Sequence, residues 1–245
     1  MIIEFCGLPG VGKTTISRKI ADRLESMGLR VQQPTFLINN MMSKWERLLY
    51  KIQFAVQGPD RNILGLFSKT FSANQYNAKK LLRLCLNYHY IRGLQNKGMK
   101  GQISIFDQGL VQSLWSIVYE ETKSQSTDIT AFLPFLEWKN DEIVVINLET
   151  DDNILSSRIG DRKRDQSRLR HDLETKKVID LKFLKKSMSE LLSFVNEAKT
   201  RRRVSVLNIR NDTSPQQCAS DITAIIHQLI TMNANDGWIG TTCYS

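Results

Sequence analysis

The chain has 245 residues, of which 41% are apolar and 24% charged, with a formal net charge of +9. Such a balance is ordinary for a globular protein, and the length suits one α/β domain with a buried core, or such a domain with insertions. No apolar run approaches the roughly 20 residues of a spanning helix, and the N-terminus lacks the basic region of a signal peptide, so a cytoplasmic protein without a membrane partner is expected.

Ile2 to Cys6 is an apolar strand in which Glu4 is the only charge. It runs into Gly7-Leu8-Pro9-Gly10-Val11-Gly12-Lys13-Thr14-Thr15, which contains G-x-x-x-x-G-K-T with Gly7, Gly12, Lys13 and Thr14 in the required places. The chemistry explains this spacing. Glycines let the backbone fold tightly, so that successive N–H groups point at phosphates with no Cβ in the way. Lys13 reaches the β/γ-phosphates, and the Thr14 hydroxyl is placed for Mg²⁺. An amphipathic helix follows, with Ile16, Ile20, Leu24 and Met27 on one face and Gly28 at its C-terminal end. Its positive end faces the same anion. Strand, glycine loop and helix stand in the demanded order, which predicts a nucleoside triphosphate site.

Leu29–Pro34 reads as a short second strand ended by Pro34, which cannot donate to a ladder. Between 35 and 77 the pattern predicts a helix over Met41–Val56, a break at Gly58-Pro59 and a mixed segment. Trp45, Tyr50, Phe54, Phe67 and Phe71 are expected to pack a helical subdomain, with Met41 and Met42 in its core. A strong helix is predicted over Ala78–Gln95, then a buried strand Gln102–Phe106 ending in Asp107-Gln108-Gly109, and a helix over Leu110–Thr122 carrying Trp115. Thr122–Thr130 reads as a surface loop and Glu142–Leu148 as a strand. A short helix at Asp152–Arg158, an arginine-rich stretch, a long helix near Thr175–Lys199 and a fifth strand at Val204–Ile209 come next. Asn211–Pro215 is a turn with a helix start. Ile222, Ile225, Ile226 and Leu229 form the core face of the last helix. Residues 233–245 show no periodicity and read as a flexible tail after a single domain of residues 1–232. Alternating strands and helices predict a three-layer α/β/α fold, with a parallel five-stranded sheet and the nucleotide at the strands' carboxyl ends.

Cys6, Cys85, Cys218 and Cys243 are scattered and form no C-x-x-C pair, which favours reduced thiols. His89, His171 and His227 are too dispersed for a metal set and read as surface or helix residues. The charge is uneven. Between Arg158 and Arg203 there are fifteen Lys/Arg against seven Asp/Glu, a surplus of eight. Such a block favours polyanions, and a solvated helix face explains part of it equally well.

Asp107 ends a buried strand next to the glycine loop, where an acid can hold Mg²⁺ through water or take the proton from an attacking hydroxyl. Arg158-Ile159-Gly160-Asp161-Arg162-Lys163-Arg164 reads as a mobile flap. Arginines delivered over a γ-phosphate stabilise the transferring charge, and one such residue is worth roughly 10³–10⁵ in rate. The guanine-reading N-K-x-D is missing, since Asn96-Lys97-Gly98 is followed by Met99, and no D-E Walker B strand is present.

On these residues the chain resembles the P-loop nucleoside and nucleotide kinases, thymidylate-kinase-like enzymes most of all. The resemblance covers the Gly7–Thr15 loop, the Asp107 strand end, the Arg158–Arg164 stretch as part of a lid over 158–172, and the Asn211–Pro215 turn; only the first is highly specific. It implies a kinase with ATP and Mg²⁺ as cofactors, and a helical acceptor-side region over 36–98. The loop would bind nucleotide through Gly7, Pro9, Gly10, Val11, Gly12, Lys13, Thr14 and Thr15, with Asn211 and Asp212 near the adenine. Thr14 and Asp107 would serve the metal. Lys13, Asp107, Arg158, Arg162 and Arg164 would be catalytic. Two departures remove charge from the acceptor side: Gln108 stands where many such kinases have arginine, and Gln32-Gln33-Pro34 replaces an Arg-Glu-Pro-like strand end. Arg47, Arg61 or Arg92 could supply a substitute clamp.

The expected function is therefore transfer of the γ-phosphoryl group to a small acceptor, a nucleoside monophosphate or a nucleoside. A non-nucleotide alcohol and a polynucleotide 5′ end are the alternative acceptors. Nucleic acid rests on the basic stretch alone. A nucleotide-binding module that regulates a partner is the rival class, and a homodimer is compatible with either. Asp107 discriminates: facing the phosphates it supports transfer, and facing the sheet edge it supports the module.

Overall fold

In the computed structural model of the chain, residues 1–57, 82, 85–90, 102–121, 143–160, 181–197 and 204–235 are described. Five strands make one sheet: β1 (Ile2–Cys6), β2 (Val31–Gln32), β3 (Ile103–Phe106), β4 (Ile143–Glu149) and β5 (Val204–Arg210). Their order is β2-β3-β1-β4-β5 and every pairing is parallel. All five residues of β1 are buried, as a central strand covered on both faces requires. The helices are α1 (Lys13–Ser26), α2 (Pro34–Met41), α3 (Lys44–Gln57), α4 (Leu110–Glu121), α5 (Asp152–Gly160), α6 (Leu181–Glu197) and α7 (Pro215–Asn235), and residues 85–90 are also helical. α1 packs on α7, and α4 packs on α6.

The strand order determines where a site can form. From β1 the chain moves outward to β2 and β3, and from β3 it crosses back past β1 to β4. Right-handed crossovers in opposite directions place their helices on opposite faces of the sheet. A crevice therefore opens between the carboxyl ends of β1 and β3, the switch point where ligands bind in such sheets. The glycine loop follows β1 and Asp107 follows β3, so both border that crevice.

Most predicted elements recur within a few residues. The helix predicted over Met41–Val56 is two helices, split at Met42-Ser43. Met42 is extended, and Ser43 opens α3 through a reciprocal cap: its N–H donates to Glu46 Oε2 at 2.7 Å and its Oγ accepts from the Glu46 N–H at 3.3 Å. Ser-x-x-Glu is a helix-start signature, and here it overrides an apolar periodicity that runs across the junction. Pro34 takes the first turn of α2, where its missing N–H costs nothing. α7 extends to Asn235, past the predicted start of the tail at 233.

Two side chains lie where the sequence did not put them. Met41 and Trp45 are exposed, at 79% and 75%, because they fall on the outer side of α2 and α3 rather than in a core. His89 is buried at 2% exposure and meets the Tyr88 ring edge-on, with centroids 5.5 Å apart. Tyr50 and Phe54 do pack as expected, with each other and with Tyr90 at centroid distances of 5.1 to 5.9 Å. Trp115 is core, its Nε1 donating to Ser187 Oγ at 3.1 Å. Cys6, Cys85 and Cys218 are free, buried thiols. No described helix is long and apolar enough to cross a membrane. Phe67, Phe71, Arg61, Arg92, His171, Cys243, the Thr122–Thr130 loop, and Arg162 and Arg164 with the rest of the lid beyond residue 160 lie outside the described residues.

Candidate active site

The loop is built by glycine where nothing else fits. Gly7 and Gly12 have φ of 132° and 94°, in the region that L side chains rarely adopt. A Cβ on Gly7 would stand 2.4 Å from the Leu148 carbonyl oxygen of β4, and one on Gly12 would stand 2.8 Å from Asn211 Nδ2. Lys13 is buried, and its Nζ donates to the carbonyls of Gly7 and Leu8 at 2.7 and 3.0 Å. The ammonium thus sits inside the curl of its own loop. Thr14 and Thr15 are exposed at the start of α1.

Asp107 faces this loop and not the sheet edge. It is 6% exposed, and its Oδ2 accepts from Thr14 Oγ1 at 2.9 Å. Its Oδ1 accepts from Thr35 Oγ1 of α2 at 2.7 Å. One carboxylate therefore joins the ends of β1, β2 and β3. Thr14 and Asp107 offer hard oxygen donors of the kind Mg²⁺ takes when it also keeps water and phosphate oxygens. No group of three or more His, Cys, Asp or Glu ligands occurs among the described residues.

Beneath the loop lies an arrangement that periodicity did not reveal. Glu4 is 2% exposed, and its Oε1 accepts from the Gln112 N–H at 3.2 Å. Burial pushes its carboxyl up to about 7, against the pull of the Gln112, Val111 and Leu110 N–H groups at the start of α4. The only charge of β1 thus caps the helix after Asp107. Gly109 is required beside it, because a Cβ there would stand 2.4 Å from the Glu4 carboxyl carbon. Gln112 closes the arrangement: its Oε1 accepts from the Gly7 N–H at 3.2 Å.

Asn211 is 1% exposed, and its Nδ2 donates to the Val11 carbonyl at 2.7 Å. This side chain is committed to shaping the loop. Asp212 ties the turn after β5 to the turn after β4, accepting from the Asp151 N–H at 2.9 Å and from Thr150 Oγ1 at 3.3 Å. Those bonds, the Asp151 N–H first and then Arg210 beside it, hold its carboxyl below the usual range. Arg158 lies half-buried in the last turn of α5, and among the described residues no hydrogen bond joins it to the loop.

Among the described residues, two cavities lie beside the loop. The smaller, of about 130 Å³, is on the Asp107 side and is lined by Thr35, Lys51, Asn87, Gln108, Gln112 and Ser113 among others. Among the described residues its one charged lining residue is Lys51, whose Nζ donates to Asn87 Oδ1 at 2.5 Å. Among the described residues the cation on this side is Lys51; Arg47 is not part of the cavity wall, and Arg61 and Arg92 lie outside the described residues. The larger cavity, about 530 Å³, lies between β4, β5 and α6 and touches the loop's outer wall at Leu8 and Val11.

No protein-family model matches the chain, and no curated protein does. Among solved structures, a deoxyadenosine kinase from M. mycoides with dCMP and a flexible dCDP bound superimposes with a TM-score of 0.50 at 16% identity, covering 93% of this chain and 100% of that one. EHV4-TK in complex with Thy and ADP gives a TM-score of 0.49 at 11% identity, covering 92% and 89%. At such identity the first likeness shows the fold alone: this chain shares the α/β architecture of that deoxyadenosine kinase.

Proposed function

We propose that the chain is an ATP- and Mg²⁺-dependent phosphotransferase that moves the γ-phosphoryl group to a small acceptor, a nucleoside or nucleoside monophosphate. The observation that supports this most is the placement of Asp107. Its carboxylate bonds the Thr14 hydroxyl at the mouth of the loop and shares a wall residue, Thr35, with the 130 Å³ cavity. An acid that faces the phosphate loop supports transfer chemistry, whereas one turned to the sheet edge would have favoured a binding module.

In this reading the loop N–H groups from Gly10 to Thr15 cradle the phosphates. Lys13 exchanges its two loop carbonyls for phosphate oxygens, which cost no rearrangement of the backbone that holds it. Thr14 and Asp107 hold Mg²⁺, which when bound neutralises charge developing on the phosphates. Asp107 would also accept the proton of the acceptor hydroxyl. Asn211 keeps the loop in shape from behind, and Arg158, Arg162 and Arg164 act from the lid on the transferring group. The deoxyadenosine kinase superimposed above acts on a deoxynucleoside by name, which supports that acceptor class; among the described residues the cavity offers the neutral Gln108 and Gln112 and the cation Lys51.

The test is ATP turnover with Mg²⁺ against deoxyadenosine, thymidine, their 5′-monophosphates, 5′-hydroxyl oligonucleotides and simple sugars. One acceptor that raises ADP production many-fold establishes the reaction. Tight ATP binding with no acceptor-dependent turnover would overturn it in favour of a regulatory module.

A further inference from the structure

The start of the phosphate loop is one hydrogen bond away from the wall of the 130 Å³ cavity, and its end is two. At its start, the Gly7 N–H donates to Gln112 Oε1, and Gln112 lines the cavity. At its end, Thr14 Oγ1 donates to Asp107, whose other oxygen accepts from Thr35, and Thr35 lines the same cavity. Gln112 is 8% exposed, and its backbone is fixed independently: its N–H donates to Glu4 and its carbonyl accepts from Ser116 Oγ at 3.0 Å. Its Nε2 has no hydrogen-bond partner among the described residues, so one face of the amide serves the loop while the other is available to the cavity.

From this geometry we infer that Gln112 is a positioning residue which couples the acceptor cavity to the phosphate loop. The inference rests on the phosphotransferase reading of the site and goes beyond it. An occupant that accepts a hydrogen bond from Nε2, through a carbonyl, ring nitrogen or hydroxyl oxygen, polarises the amide and makes Oε1 a better acceptor for the Gly7 N–H. It also fixes a side chain that otherwise has only one tether. The loop is thereby held in its nucleotide-binding shape, and acceptor and nucleotide tighten one another. By linkage the factor is the same in both directions.

The experiment is calorimetric titration of ADP into the protein alone and in saturating deoxyadenosine, thymidine or their monophosphates, with the reciprocal titrations, on the parent and Gln112→Met. In the parent, an acceptor is expected to lower the ADP Kd on the order of fivefold, with the reciprocal factor equal. In Gln112→Met the factor falls to about one. A purely structural role would weaken ADP binding in the variant and leave the factor intact, and that result overturns the inference. An acceptor that is phosphorylated by the parent yet shows no linkage overturns it too, while the phosphotransferase reading stands. A panel in which nothing binds or is phosphorylated overturns both. If Gln112→Met does not fold, the parent's own linkage factor decides.

Discussion

Lys13, Asp107 and Glu4 carry separable consequences. Replacing Lys13 by Ala removes the ammonium now held by the Gly7 and Leu8 carbonyls; transfer is expected to be abolished and ATP affinity weakened, as measured by turnover and titration. Asp107→Ala is expected to destroy turnover while leaving most nucleotide affinity; retained turnover would remove Asp107 from the mechanism. Glu4 gives a prediction about pH. Its carboxyl in the folded chain is raised from 4.5 to about 7 by burial, so across that interval the folded state holds the proton more tightly than the unfolded one. Stability from this group is therefore complete below about pH 4.5 and is lost as pH rises through about 7, by up to about 3 kcal/mol. Thermal melts of the parent and Glu4→Gln over that range should diverge, with the parent falling more steeply as pH rises. Parallel curves would remove Glu4 from the balance. These residues were not equally legible. Lys13 follows from a motif whose every position has a chemical reason, whereas Glu4 in an apolar strand gives no hint of its partner. Its role depends on Gly109 and Gln112, more than 100 residues away, and no local periodicity encodes such a meeting.

Among the elements, strands and helices that pack on the sheet were readable because burial imposes their periods; β4 and the core face of α6 are examples. The region after β2 was not, since the apolar residues there serve two helices in different directions. The Ser43–Glu46 cap was in plain view and lost to the periodic pattern. Ser43→Ala is expected to cost about 1 kcal/mol, a fall of roughly 2–4 °C in Tm for a chain of this size, visible by calorimetry. Because α3 carries Lys51 to the cavity wall, the same variant should raise the acceptor KM more than it lowers kcat. An equal effect on both would place α3 outside acceptor binding.

At the scale of the molecule, the parallel order β2-β3-β1-β4-β5 puts the earliest strand in the centre and the latest at the edge. The five-stranded architecture was legible from alternation alone; the order was not, because spacing along the chain does not say which strands pair. Neither did it show that the turn after β5 reaches back to the first loop. Asn211 donates to Val11 across 200 residues of sequence. Asn211→Ala is expected to weaken ADP binding without touching any group that contacts phosphate. Unchanged affinity would mean that the loop holds its shape unaided. That contact also bears on biosynthesis. At roughly 5–20 residues per second, a ribosome makes Gly7–Thr15 some tens of seconds before it makes Asn211. For most of that interval β1 lacks β4 on one side, and throughout it the loop lacks its brace. The nascent polypeptide thus carries a complete phosphate-binding motif before its brace exists, and full affinity for nucleotide is expected only late in translation, with the turn that follows the last strand.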